Sequence, residues 1–218
     1  MLGYRKRHYA LALGLAALAG FVDSVGFLQL GGLFVSFMSG NSTRMAVGAA
    51  EGARSGLIAS VLIAGFVMGV VAGALLGGLA QRWRKQAVLG FIACLLLLAS
   101  ALTMRCVAIR SPIFLMVFAM GAANNVFLRD GEVSIGVTYM TGTLVKFGQK
   151  LAAAIMGGAP FDWLPYLLLW IALVTGAILG ALTFPLLGLH ALWIAAGFAT
   201  LLLAGACALG PLPMEPIP

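Results

Sequence analysis

Three ionisable side chains, Asp23, Arg44 and Lys146, fall within or beside long apolar stretches, and the polar residues around them form two matching sets. One set is Met38-Ser39-Gly40-Asn41 and the other is Met140-Thr141-Gly142-Thr143. Arg44 follows the first Met by the interval at which Lys146 follows the second, and Asn124 stands upstream of the second set as Asp23 does of the first. A charge in the middle of a bilayer costs at least about 2.5–3.5 kcal/mol, so each one is a functional candidate. Hydroxyls, an amide, small residues and a cation at the start of a helix suit an anion or a strongly polar solute, because the first N–H groups of a helix have no partner within it. The expected solute-binding set is therefore Asp23, Ser39, Gly40, Asn41, Arg44, Asn124, Thr141, Gly142, Thr143 and Lys146. Asp23 is expected either to pair with Arg44 or to carry a proton or cation.

Catalytic chemistry is not expected. The chain has no Cys/His cluster with metal-ligand spacing, no Gly-x-Ser-x-Gly elbow and no Walker-type phosphate loop, so no cofactor and no metal are assigned. Cys94, Cys106 and Cys207 are scattered and read as buried small hydrophobes. His8 and His190 read as interfacial, and Asp162 reads as the cap of the helix that follows it.

The elements that must position the site are membrane helices. Of 218 residues, 62% are hydrophobic and only 9% are charged, far below the quarter or so that a soluble surface needs. Apolar runs at Tyr9–Leu28, Leu57–Leu79, Ala87–Met104, Ile113–Leu128, Leu164–Leu187 and Ala191–Leu209 match or approach the roughly 20 residues that cross a hydrocarbon core. The run after Arg5, Lys6 and Arg7 is too long for a signal-peptide core and reads as the first membrane helix. The net charge of +7 does not indicate nucleic acid, because its cations sit at helix ends, as in cytoplasmic loops.

The chain also repeats itself. Phe37–Asn41 recurs as Tyr139–Thr143, Gly20–Asp23 as Gly121–Asn124, Gly73–Leu79 as Gly176–Leu182, and Gly90-Phe91 as Gly197-Phe198, in the same order. Residues 1–110 and 111–218 thus read as two copies within one membrane domain. In each copy a β-branched and aromatic lead-in, Leu33–Met38 or Val133–Met140, reads as extended. The Ser/Thr-Gly-Asn/Thr cluster then supplies N-cap chemistry for a half-helix. Extended backbone at that depth survives only where protein buries it or where it lines a cavity.

If each half-helix turns back to its own side, every copy keeps three full crossings and the copies have inverted topology. Arg5, Lys6, Arg7, Arg82, Arg84, Lys85, Arg129 and Lys150 then share the side of the termini, against Arg54, Arg105 and Arg110 opposite. The positive-inside rule prefers this to eight full crossings, and puts both termini in the cytoplasm. Gly65, Gly69, Gly73 and Gly77 line one helix face, and Gly176 and Gly180 repeat the device; such faces let backbones approach and build the bundle, with a homodimer contact as a further use.

The segments Ala19-Gly20-Phe21-Val22-Asp23 and Phe34 through Met38-Ser39-Gly40-Asn41, with Asn124 and Thr138-Tyr139-Met140-Thr141-Gly142-Thr143 in the second half, resemble the bacterial YoaK-like membrane proteins. Ser39 stands where that family usually has Thr, and Thr143 where Asn is common. The resemblance implies a bacterial inner-membrane protein and no substrate. The reading is an all-α integral membrane protein of about six transmembrane helices plus two broken, re-entrant half-helices. Its expected function is secondary transport, or channel-like passage, of a small polar or anionic solute. The alternative is a non-transporting scaffold or accessory subunit, with Asp23 and Arg44 as a structural ion pair.

Overall fold

The computed structural model describes residues 6–104, 110–129, 132–133 and 136–211; Arg5, Arg105, Cys106 and Asp130 lie outside them. The described chain is an all-α membrane protein. Its helices are α1 (Lys6–Gln29), α2 (Met38–Ala50), α3 (Arg54–Ala80), α4 (Arg84–Thr103), α5 (Arg110–Ala123), α6 (Met140–Ile155), α7 (Leu164–Leu187) and α8 (Leu192–Ala208). Short 3₁₀ turns at Gln81–Trp83 and Gly188–Ala191 reverse the chain between α3 and α4 and between α7 and α8. A two-residue antiparallel pair, β1 (Leu128–Arg129) with β2 (Glu132–Val133), puts Leu128 opposite Val133.

Length separates the helices into two kinds. The 27 residues of α3 extend about 40 Å, more than the roughly 30 Å of a hydrocarbon core, whereas the 13 of α2 reach only about 20 Å. Three helical stretches, His8–Gln29, Arg54–Thr103 and Leu164–Ala208, are long and apolar enough to cross a membrane; the last two double back on themselves at their 3₁₀ turns. The apolar run expected over Ile113–Leu128 is helical only to Ala123. Asn124, Asn125 and Val126 continue it with i→i−3 hydrogen bonds, while the Asn124 and Asn125 amides bond back to the Met120 and Ala122 carbonyls. Such local bonding competes with helix continuation.

Helix α1 lies at the centre, with Ala12, Leu15, Ala16, Leu18, Ala19, Val22 and Val25 buried. Outer faces carry large apolar side chains instead, such as Leu57, Met68, Leu75 and Leu79 on α3 and Ile178, Leu182 and Leu186 on α7. That distribution suits lipid as solvent. Cys94 and Cys207 also lie exposed rather than buried, a correction that leaves them among apolar neighbours.

The glycine faces are consumed inside the chain. A methyl group at Gly69 would lie 2.1 Å from the Phe118 carbonyl oxygen, and one at Gly176 would lie 1.9 Å from that of Ala17. Hence α3 packs backbone to backbone on α5, and α7 does so on α1. These glycines are packed within the chain. The packing also moves the sequence match by one turn: Gly176 against Ala17 corresponds to Gly69 against Phe118, and Gly180 against Phe21 to Gly73 against Ala122. Gly73 is thus the counterpart of Gly180 and not of Gly176.

These contacts fix the helix directions. Gly65, Gly69 and Gly73 meet Phe114, Phe118 and Ala122 in rising order, so α3 and α5 run parallel; Gly176 and Gly180 meet Ala17 and Phe21, so α7 and α1 do too. Gln86 donates to the carbonyls of Ala206 and Gly210 at one end of the bundle, and Thr103 bonds His190 at the other, so α4 and α8 are antiparallel. It follows that α1 and α5, the first helices of the two halves, point in opposite directions.

Candidate functional site

The chain leaves α1 at Gln29, turns through Gly31 and Gly32 at positive φ, and climbs back beside α1 before α2 begins. Two side chains hold this return. Asp23 Oδ1 accepts the N–H groups of Val35 at 2.9 Å and Ser36 at 2.7 Å. The Asn41 side-chain oxygen accepts the Phe34 N–H at 2.9 Å, while its amide donates to the Phe34 carbonyl at 2.7 Å. Backbone that no strand or helix satisfies is thereby paired where the protein buries it, with Val35, Ser36 and Asn41 all buried. Asp23 ties the lead-in to α1, and Asn41 ties it to α2.

From there α2 runs to Ala50, and Gly52 at positive φ closes a tight hairpin into α3, with Gly48 and Gly56 backbone to backbone. Among the described residues, the second half is fastened by a different set of bonds. The Thr138 hydroxyl donates to Asn124 Oδ1 at 2.9 Å, and Asn125 donates to the Val70 carbonyl of α3 at 3.0 Å. Among the described residues, the Thr143 hydroxyl donates to the Tyr139 carbonyl, at 3.3 Å.

Both half-helices begin on one cavity of about 290 Å³, lined by Ser36–Ser39, Thr138–Gly142 and Phe66 of α3. Neither terminus carries the expected side-chain cap. The helices start at the methionines, so the N-cap residues are Phe37 and Tyr139, and neither makes a side-chain cap hydrogen bond. Ser39 and Thr141 fall one residue inside the helix, while Ser42 and Thr43 bond back to the carbonyls of Met38 and Ser39. The cavity therefore meets two helix N-termini without side-chain caps, together with the four Ser and Thr hydroxyls of Ser36, Ser39, Thr138 and Thr141, the ring of Tyr139 and an apolar wall of Met38, Met140, Phe37 and Phe66.

Of the residues expected at the site, Ser39, Thr141 and Gly142 line this cavity. Gly40 instead lies under the Phe37 ring, where a methyl would come within 2.6 Å of it, and Asn41 and Thr143 are buried in backbone duties. Asn124 is buried behind Thr138. Arg44 and Lys146 do not reach the cavity. Six residues beyond each Met is about 9 Å along a helix axis, and both side chains are exposed. Arg44 lies against Gly32.

The expected Asp23–Arg44 ion pair does not form either; peptide N–H groups occupy Asp23 Oδ1 in its place. Asp23 borders a second cavity of about 210 Å³ between α1 and α7. The expected cap at Asp162 is an ion pair with Lys150 at 3.6 Å, and α7 starts after Trp163. The residues missed from the sequence include Ser36, Thr138 and Phe66, with Phe37, Met38, Tyr139 and Met140 of the turns themselves. A signal for the first two was present, since both halves read hydroxyl–aromatic–Met–hydroxyl, Ser36-Phe37-Met38-Ser39 and Thr138-Tyr139-Met140-Thr141.

A family model for a protein of unknown function, DUF1275, matches residues 11–205. A UPF0700 transmembrane protein, RA0705, of Rhizobium meliloti (strain 1021) is 37% identical over 202 residues, covering 90% of this chain and 85% of that protein. No solved structure matches. A resemblance first carried by the paired Met-(Ser/Thr)-Gly turns and their upstream Asp23 and Asn124 thus extends along most of the chain, which belongs to the DUF1275 family of membrane proteins.

Proposed function

We propose that the protein is a small secondary transporter or channel-like facilitator of the inner membrane, passing a small polar or anionic solute through the cavity between its two half-helix turns. The observation that carries this reading is that two helix N-termini without side-chain caps open on a single cavity. Converging N-termini present unpaired N–H groups and the positive ends of two helix dipoles to one solute. With Arg44 and Lys146 away from the cavity, these dipoles and the four Ser and Thr hydroxyls supply the polarity. The apolar wall favours a solute that also has an apolar part.

The reading includes two inverted repeats, 1–110 and 111–218, with both termini cytoplasmic. It is supported by the cross-packing of α1 on α7 and α5 on α3, and by the opposed directions of α1 and α5. Broken helices at the centre of inverted repeats are a recurrent transporter design. The protein is not an enzyme in this reading, and its partners are the lipid bilayer and the solute. A non-transporting scaffold is the competing function, without the ion pair once expected for it.

A thermal-stability screen of the purified protein in detergent tests the proposal, with small anions, carboxylates, nucleobases and cations as probes. A ligand at a hundred times its dissociation constant stabilises by about 2.7 kcal/mol. The expected result is a stabilising anion or polar compound whose effect disappears in Gly142→Leu, a change that fills the cavity. Absence of any stabilising compound, or a hit indifferent to that change, would move the reading to the scaffold.

A further inference from the structure

We propose that Asp23 is the protein's proton-binding site, and that protonation there loosens the lead-in to α2 while the second half stays fixed. The proposal rests on the transport reading for its purpose but not for its geometry. Asp23 joins the return segment to α1 through two charge-assisted hydrogen bonds to Val35 and Ser36. Ser36 is itself part of the central cavity wall, so one peptide N–H separates the carboxylate from the solute path. Because Asn41 clamps Phe34 to α2, the lead-in and the first turn of α2 form one unit. Asp23 fastens that unit to the central helix.

A carboxylate is a much stronger acceptor ionised than protonated. Adding a proton therefore weakens both bonds at once and removes the charge that opposes movement through an apolar bundle. The other half cannot respond this way. Its counterpart is Asn124, which holds Thr138 through a neutral amide and does not titrate. The equivalence of Asp23 and Asn124 makes the device one-sided: one half-helix is switched, the other is a fixed wall.

The cavity on the far side of Asp23 suits a proton better than a metal cation. Around it stand Gly20, Ser24, Phe27, Phe34, Leu173 and Ala177, none of them charged. The Ser24 hydroxyl already donates to the Phe21 carbonyl. A hard cation seeks six or more oxygens, which this lining does not offer; a proton needs one lone pair. Among the described residues that line this cavity, α1 and α7 bring no titratable group besides Asp23, and on α2 the guanidinium of Arg44 lies against Gly32 rather than on the carboxylate.

Hydrogen exchange of the detergent-solubilised protein tests this without knowing the solute. Protection of residues 33–38, each rate divided by that of the free peptide at the same pH, is measured across about pH 4 to 9, with and without sodium. The expected result is protection that falls roughly tenfold or more toward low pH, the difference between bonds to a charged and to a neutral acceptor, with no response to sodium. Residues 136–140 should show no such change. Asp23→Asn should abolish the pH dependence, and Asn124→Asp should create one in 136–140. Protection independent of pH in the wild type, or a response to sodium at constant pH, overturns the proposal. The wild-type series decides this even if Asp23→Asn does not fold. A solute found at the turns together with pH-independent protection would sink the proton site and leave the transport reading standing. A pH-dependent latch with no solute would do the reverse.

Discussion

Asn41 and Gly40 are adjacent and were read alike from the sequence, yet they do different work. Asn41 spends both ends of its amide on the Phe34 backbone, so Asn41→Ala leaves an N–H and a carbonyl unpaired in a dry interior. The expected loss is about 1–3 kcal/mol for each group, visible as a lower melting temperature in detergent. An unchanged melting temperature would mean that the clamp is not holding the segment. Gly40 is required by the ring above it. Phe37 packs edge-on against Phe34, which packs on Phe27, and a methyl at Gly40 would push this stack apart. Gly142, the equivalent residue, has open space where a methyl would go. Gly40→Ala is therefore expected to destabilise. Gly142→Ala should be neutral or stabilise by up to about 1 kcal/mol through helix propensity, and equal melting temperatures for the two variants would contradict the difference in packing.

Among the elements, α3 and α7 do the joining. Lipid gives helices no hydrophobic reason to associate, so close van der Waals packing must do it. Backbone contact at Gly69 and Gly176 is the means. Either Gly69→Ala or Gly176→Ala forces a helix pair apart and should cost on the order of 1–3 kcal/mol, the usual cost of overpacking. Gly78→Ala, on the same helix as Gly69 but with nothing near the added methyl, serves as the control and should not destabilise. A melting temperature for Gly69→Ala no lower than that of Gly78→Ala would refute the assignment. The regular spacing of these glycines announced a packing face from the sequence alone. Which helix occupied it could not be read there, because the partner lies in the other half of the chain.

For the whole molecule, the helix directions put the start of α1, the α3–α4 turn, the ends of α5 and α6 and the end of α8 on one side. Gly52, the end of α4 and the α7–α8 turn fall on the other. Under the proposed orientation, a cytoplasm-active reporter is expected to work when joined after Gly210 and to fail when joined after Gly52, with a periplasm-active reporter giving the opposite pattern. Activity of the same reporter at both positions would mean that α2 and α3 do not turn back as a hairpin.

Membrane character, span positions and the two paired turns were legible in the sequence because each is a local property. A segment is apolar enough for lipid whatever else the chain does, and a repeated motif can be aligned with itself. The tertiary structure decided everything that depends on a distant partner. Helix α2 begins at Met38, after a lead-in whose backbone Asn41 and Asp23 satisfy, so the expected cap was displaced. Asp23 meets peptide N–H groups because the chain folds back onto α1, which brings those donors closer than Arg44. The cations miss the cavity because helical rise carries them past it. Hydroxyls at Ser36 and Thr138 belong to the cavity because two turns, about a hundred residues apart in sequence, close on the same space.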